Sequence, residues 1–221
     1  MTRSPPADNL PLPPAPDGAG TFKVISLDPP WHFESRAPSA NPSSVRSPQK
    51  HYPTMDLDHI EQMPVRDFAD KSGCFVFLWI TGPLMVAGVH NRLFRAWGVR
   101  PVSTAFVWIK LRKTFDMDDL HRTPLLESDL HMGNGFSTRA NAEFVMLGRI
   151  GSPSRARADI RQVIISNRLE HSRKPKEYYR RVEHYAQGPR LDMFAGAERP
   201  RWTAYGWSHR EGERPEMAAA R

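Results

Sequence analysis

An open α/β sheet, mostly parallel and with helices on both faces, is the fold that this 221-residue sequence predicts. Three observations carry the prediction. Short apolar runs alternate along the chain with stretches of helical periodicity, the order expected of strand–helix–strand units. The run CFVFLWI (74–80) is apolar at every position, as in a central strand buried on both sides. A chain of this length, 39% apolar, also suits one domain with a substantial core.

The elements follow in order. Residues 1–20 hold six prolines and few large apolar side chains, so a disordered arm is expected. FKVISL (22–27) is the first strand and CFVFLWI the second. PLMVAGVHNRLFRAWG (83–98) reads as one helix, with Pro83 near its start and Gly98 at its end. STAFVWIK (103–110), AEFVMLG (142–148) and RQVIIS (161–166) are strand-like. In HSRKPKEYYRRVEHYAQG (171–188), Ser172 can cap a helix, Pro175 sits near the first turn and Gly188 stops it. Tyr178, Val182 and Tyr185 then share one face. RLDMFAG (190–196) and WTAYGW (202–207) close a domain spanning 21–208, and residues 209–221 form a flexible tail. Two long interruptions, 32–52 and 111–141, each follow the carboxyl end of a strand. Both are expected to overhang the edge where open α/β sheets bind ligands.

Charge and composition narrow the partners. With 31 Lys+Arg against 24 Asp+Glu the net charge is +7, which favours a polyanion, nucleic acid before membrane. The single cysteine, Cys74, opens an apolar strand and excludes an internal disulfide or a thiolate-rich metal site. No stretch approaches 18 apolar residues, and the N-terminus lacks the apolar segment of a signal peptide, so a cytoplasmic location is expected.

The chemistry concentrates where the first strand ends, at Asp28-Pro29-Pro30-Trp31. The prolines have no N–H, so their carbonyls stand without competing donors beside them. One carboxylate and nearby carbonyls make a site of acceptors only, and its complement is a group with two hydrogens to donate, such as –NH2. Trp31 adds a flat surface for a heteroaromatic ring. The alternative for the tetrapeptide alone is a turn pinned by prolines.

Further segments agree with the first reading: HYPTM (51–55), FLWITG (77–82), VWIK (107–110), RANAEFVMLGRIG (139–151), SRKPKE (172–177) and LDMFAG (191–196). In this order they resemble the DPPW-type, MT-A70-like adenine N6-methyltransferases, from about Phe22 to Trp207. That family includes eukaryotic messenger-RNA methylases and bacterial and phage DNA methylases. The resemblance implies a Rossmann-like class I methyltransferase fold with the permuted motif order of the β class. It implies S-adenosylmethionine as cofactor, no metal, and methylation of the adenine N6 amine.

Residue by residue, it implies that Asp28, Pro29, Pro30 and Trp31 are catalytic. Asp28, Lys174, Asp192, Phe194 and Gly196 would bind the cofactor, with Lys174 at its carboxylate and Asp192 near its ribose. Tyr52, Trp79, Trp108 and Glu143 would line the pocket for the target base. The chain departs from the pattern at Gly196, where the family commonly has arginine. It departs again at Gly206-Trp207-Ser208, where the family ends in Gly-Asn-Glu or Gly-Asn-Gln. Those departures leave a non-catalytic nucleic-acid-binding subunit open as an alternative, against which the intact tetrapeptide and Lys174 argue. A single-domain chain without an accessory zinc finger looks more like a DNA methylase than an RNA one. DNA is therefore the expected partner, RNA the runner-up, and a homodimer or heterodimer is left open.

Overall fold

The computed structural model describes residues 15–32, 54–133, 137–169, 173–195 and 198–205. Its seven strands are β1 (Val24–Leu27), β2 (Gly73–Ile80), β3 (Arg100–Leu111), β4 (Ala142–Gly151), β5 (Val163–Asn167), β6 (Arg190–Met193) and β7 (Thr203–Tyr205). They form a single sheet of order β5-β3-β4-β2-β1-β6-β7. All seven expected strands are present. Strand β4 alone runs antiparallel to its neighbours, β2 and β3, while every other pairing is parallel. Six carboxyl ends therefore share one rim, and β4 brings its beginning there.

Every residue of β1 and β2 is buried, because each strand has neighbours on both edges and side chains packed on both faces. Successive side chains alternate between faces. Ile25, Leu27, Cys74, Val76, Leu78 and Ile80 join one core. The helices over it are α1 (Leu57–Glu61), α2 (Val65–Phe68) and α4 (Val89–Ala96), through Ile60, Val65, Phe68, Leu93 and Phe94. Val24, Phe75, Phe77, Trp79, Phe106, Trp108 and Val145 join the opposite core, under α5 (Lys176–Tyr185) with its Tyr178, Tyr179 and Val182.

The single helix expected over 83–98 is two. A short α3 (Gly82–Val86) stops and α4 starts afresh at Gly88, whose φ of 73° is a left-handed conformation that costs glycine little. Gly98 follows α4 with φ 63°, as a terminating glycine should. Pro175 occupies the N-cap position of α5 without a side-chain hydrogen bond, and Ser172 lies outside the described residues. Of the stretch assigned to the arm, residues 15–20 are described. They form a turn that docks on α2, with the Gly20 N–H donating to the Phe68 carbonyl at 3.0 Å. Among the described residues no helix is long and apolar enough to cross a membrane.

The free edge of β5 is guarded from within. The Gln162 carbonyl accepts the Val107 N–H of β3, whereas those of Arg161 and Val163 take Nη1 of Arg181, at 2.6 and 2.7 Å. Nε of Arg181 is meanwhile held by Glu177 at 2.7 Å, one turn earlier on α5. Covered carbonyls cannot pair with a second chain. Arg181→Ala is expected to cost about 1–2 kcal/mol of stability and to produce concentration-dependent self-association in sedimentation equilibrium. A mass that stays constant with concentration would rule out the guarding role.

Candidate active site

The parity that sorts the two cores also sorts the polar residues. Ser26 lies on the α5 side of β1, and two residues on the same parity reaches Asp28, one step beyond the strand. Trp108 pairs with Glu143 across β3 and β4, and Trp79 with Val145 across β2 and β4, so all four share that face. Lys174, just before α5, enters from above.

At the rim these residues meet as ion pairs. Nζ of Lys174 lies 3.0 Å from Oδ2 of Asp28 and 3.1 Å from Oε2 of Glu143. The other Glu143 oxygen accepts from Nζ of Lys110, on β3. The four side chains retain only 10–21% of their exposure. Burial opposes ionisation of Glu143, but two ammonium groups outweigh it and hold its carboxyl at about 2. For Lys174 too burial is the largest influence, yet its two carboxylates win and raise it above the ordinary lysine value. Asp28 goes the other way. Burial raises its carboxyl, the Lys174 charge offsets this only in part, and the Glu143 charge adds to the rise. Lys174 has three N–H donors, of which these two carboxylates use two.

An ammonium stands over each tryptophan: Lys174 is 4.8 Å from the ring centroid of Trp79, and Lys110 is 4.7 Å from that of Trp108. The two rings meet edge to face at 6.2 Å, both essentially buried, and Nε1 of Trp108 donates to Ser166 at 2.8 Å. Tyr178 packs on Trp79 at 4.7 Å and donates its hydroxyl to Ser26 at 2.9 Å. A buried hydroxyl with a partner in an apolar core contributes about 1 kcal/mol and fixes the register of α5 on the sheet.

The DPPW segment is tied down more tightly than its lack of N–H groups suggests. The Asp28 N–H donates to Met193 at 3.3 Å. The Pro29 carbonyl accepts the Trp31 N–H at 2.8 Å and the Pro30 carbonyl that of Met55 at 2.9 Å. Each proline oxygen therefore has a donor, supplied not by the prolines but by residues beyond them, and keeps one lone pair. Trp31 is 7% exposed and belongs to the opposite core with Leu27 and Ile60. The structure separates it from Trp79 and Trp108 by the thickness of the sheet.

On the far side of Asp28, β6 presents Asp192 and Phe194. Asp192 lies beside Ser26 in register and is 3% exposed. Burial raises its carboxyl to about 6 against the pull of Arg199, whose Nε is 3.5 Å from Oδ2. That oxygen accepts no hydrogen bond among the described residues. Phe194 takes a left-handed φ of 64°, unusual for an aromatic residue, and its N–H donates to Tyr205 at 2.7 Å. The Arg199 guanidinium lies 3.4 Å above the Tyr179 ring, at the wall of a cavity of about 370 Å³ lined also by Lys176, Arg180 and Glu183. Tyr52 and Gly196 lie outside the described residues.

Of the expected site residues, Asp28, Lys174, Glu143, Trp79 and Trp108 are thus brought together, with Asp192 and Phe194 adjacent and Trp31 apart. Sequence reasoning missed Lys110, although VWIK places it on the Trp108 face by simple alternation. Among the cations outside this cluster, Arg112, Arg157, Arg180 and Arg181 are each paired with a carboxylate. Lys113, Arg122, Arg139, Arg155, Arg161 and Arg173 are exposed.

Comparison with known proteins identifies the family of the chain. The family model described as MT-A70 matches residues 22–208. The chain is similar to the type II methyltransferase M.MunI of a Mycoplasma species, 30% identical over 70% of this chain and 63% of that protein. It is similar to a putative N(6)-adenosine-methyltransferase MT-A70-like protein of Medicago truncatula, 29% identical over 81% of this chain and 25% of that one. It is also similar to the human N(6)-adenosine-methyltransferase catalytic subunit METTL3, 25% identical over 85% of this chain and 28% of METTL3. The chain thus spans under two thirds of the bacterial relative and about a quarter of the eukaryotic ones.

Proposed function

Because this chain belongs to the MT-A70 family, whose methyltransferases use S-adenosylmethionine, we propose that it methylates the exocyclic N6 amine of adenine in DNA. The observation that carries the reading is Asp28. It is a carboxylate at the rim, anchored by Lys174 and flanked by two tryptophans on the same face. The higher identity to a type II methyltransferase, 30% against 25% for the human adenosine methyltransferase, supports DNA over RNA.

The residues present fit the cofactor. Lys174 keeps one N–H donor for a carboxylate, the buried Asp192 oxygen lacks a hydrogen bond, and Phe194 is held in a strained conformation at the end of β6. Lys174, Asp192 and Phe194 would hold it, beside Asp28. When bound, it supplies an electrophilic methyl group carried on a sulfonium sulfur. The chain's own task is to make a poor nucleophile competent. An adenine amine is weak because its lone pair is delocalised into the ring. Asp28 and the second lone pair of the Pro29 carbonyl accept its two N–H hydrogens, which favours a pyramidal nitrogen and stabilises the positive charge growing there. Burial, which raises the Asp28 carboxyl, also suits it to receive the proton that nitrogen sheds. Holding the amine at attack distance supplies much of the remaining rate. A base within a duplex must first be extruded from the stack to reach Asp28.

Transfer of labelled methyl from S-adenosylmethionine to matched DNA and RNA oligonucleotides tests the proposal. Label on adenine N6 in DNA, and little in RNA of the same sequence, is expected. Preferential labelling of RNA would reverse the substrate assignment. No transfer to either, with nucleic acid still bound, would make the chain a binding subunit.

A further inference from the structure

We propose that Lys110 is a positioning residue for this site: by neutralising Glu143 it leaves Lys174 to Asp28, and so keeps the Asp28 carboxylate an acceptor. The proposal rests on the reading above that Asp28 binds the amine.

Four charges alternate in sign along the rim: Lys110, Glu143, Lys174 and Asp28. They come from four separate segments of the fold, namely β3, the start of β4, the approach to α5 and the end of β1. Each inner member has two partners of opposite sign, and each end member has one. A chain of this kind is balanced only while both ends are charged. Without the Lys110 ammonium, two carboxylates share Lys174, and Asp28 ionises less readily because it has no other cation. The remaining titratable groups facing it cannot substitute. From β6 comes Asp192, an acid, and from α5 come Tyr178 and Tyr179, both raised by burial. The nearby guanidinium of Arg199 is turned to Asp192 instead.

Lys110 is also built in, not a surface lysine that happens to lie close. Its N–H donates to Asn141 and its carbonyl accepts from His131, both at 2.8 Å, so the backbone is held from two sides. Its side chain lies over the Trp108 ring and is 18% exposed. A lysine whose ammonium is held over an aromatic face delivers its charge to one place. The Lys110 charge also acts directly on Asp28, in the same sense as that of Lys174.

Two neutral variants and one conservative variant test this. Lys110→Met removes charge and hydrogen bond together. Lys110→Gln removes the charge but can still donate to Glu143, which protects the test if the methionine variant folds poorly. Lys110→Arg keeps the charge. The first readout needs no activity: the ¹³C carboxyl resonance of Asp28, assigned by its loss in Asp28→Asn, is followed against pH. Its midpoint is expected to move to higher pH in the neutral variants and to stay near the parent value in Lys110→Arg. The second readout is methyl transfer. The acid limb of kcat should move to higher pH, so that the loss is largest, on the order of tenfold, at the acid end of the profile and fades toward its alkaline end, with KM for nucleic acid little changed.

An unmoved Asp28 midpoint in a folded neutral variant overturns the proposal. So does a loss of kcat that is the same at every pH, since that would make Lys110 a direct substrate contact. Absence of methyl transfer in the parent protein would sink the functional reading instead, while the carboxyl titration still reports on Lys110.

Discussion

Asp28→Asn is expected to lower methyl transfer by about a thousandfold. The substitution changes almost no volume but replaces an anionic acceptor by an amide that carries two donors. Those donors would face the N–H groups of the target amine, so attraction turns to repulsion. The proton shed by nitrogen would also lose its first acceptor. Affinity for nucleic acid should change by less than about threefold, because phosphate contacts supply most of it and lie elsewhere. Initial rates of label transfer, alongside filter binding, separate the two effects. Asp28→Glu is the informative companion, since it keeps the charge but shifts it by a methylene. A displacement of that size costs on the order of a hundredfold when geometry limits the rate. If Asp28→Asn keeps more than about a tenth of the parent rate, the acceptor role assigned to this carboxylate is wrong.

The second large effect is expected in stability. Lys174→Met preserves the aliphatic stem but leaves Asp28 and Glu143 sharing a nearly buried site with only Lys110 to balance them. Breaking a buried ion pair by removing one partner costs about 3 kcal/mol or more. In a chain of this size that corresponds to a fall in Tm of roughly 10 °C. The dependence on pH gives the effect a signature. In the variant the two carboxylates relieve their repulsion by retaining a proton that the unfolded chain releases above about pH 4. The folded state then binds more protons than the unfolded one, so the variant loses stability as pH rises. The gap from the parent should be smallest near pH 5 and widen toward pH 8, as thermal melts across that range would show. A gap independent of pH would mean that lost packing, not unbalanced charge, is the cause.

The strands were legible because their apolar runs are continuous and bounded, and a segment buried on both faces leaves no other reading for CFVFLWI. The direction of β4 was not legible. AEFVMLG shows the same two-residue period whichever way it runs, and only its partners decide. The break at Gly88 could have been suspected from a glycine at the centre of a helical pattern. The site was legible in its members more than in their pairing. Lys174 bridges to Asp28 and Glu143, which lie 146 and 31 residues before it in the chain, and no local pattern carries that information. Trp31 is the instructive case. Its parity matches Ile25 and Leu27, not Ser26, so strict alternation would have sent it to the opposite core, where it lies. The free carbonyls expected at the two prolines acquired donors from Trp31 and Met55, and the second of these contacts depends on a segment that the tetrapeptide itself does not contain.

The reversed strand has one further consequence, for how members of such a family could come to differ. Since β3 and β4 are antiparallel neighbours, the intervening residues 112–141 leave and re-enter the sheet side by side at the rim. The return is stitched to the exit by the Leu111–Leu130 bridge and by Arg112 with Asp129. Exchanging this lobe for one of another length changes the chain entropy by only about half a kcal/mol per doubling. As long as the exchange keeps the backbone contacts of His131 and Asn141 to Lys110, neither Lys110 nor Glu143, the posts on which it stands, has to move. The fold thus sets a segment that can vary in length directly beside its most constrained charges.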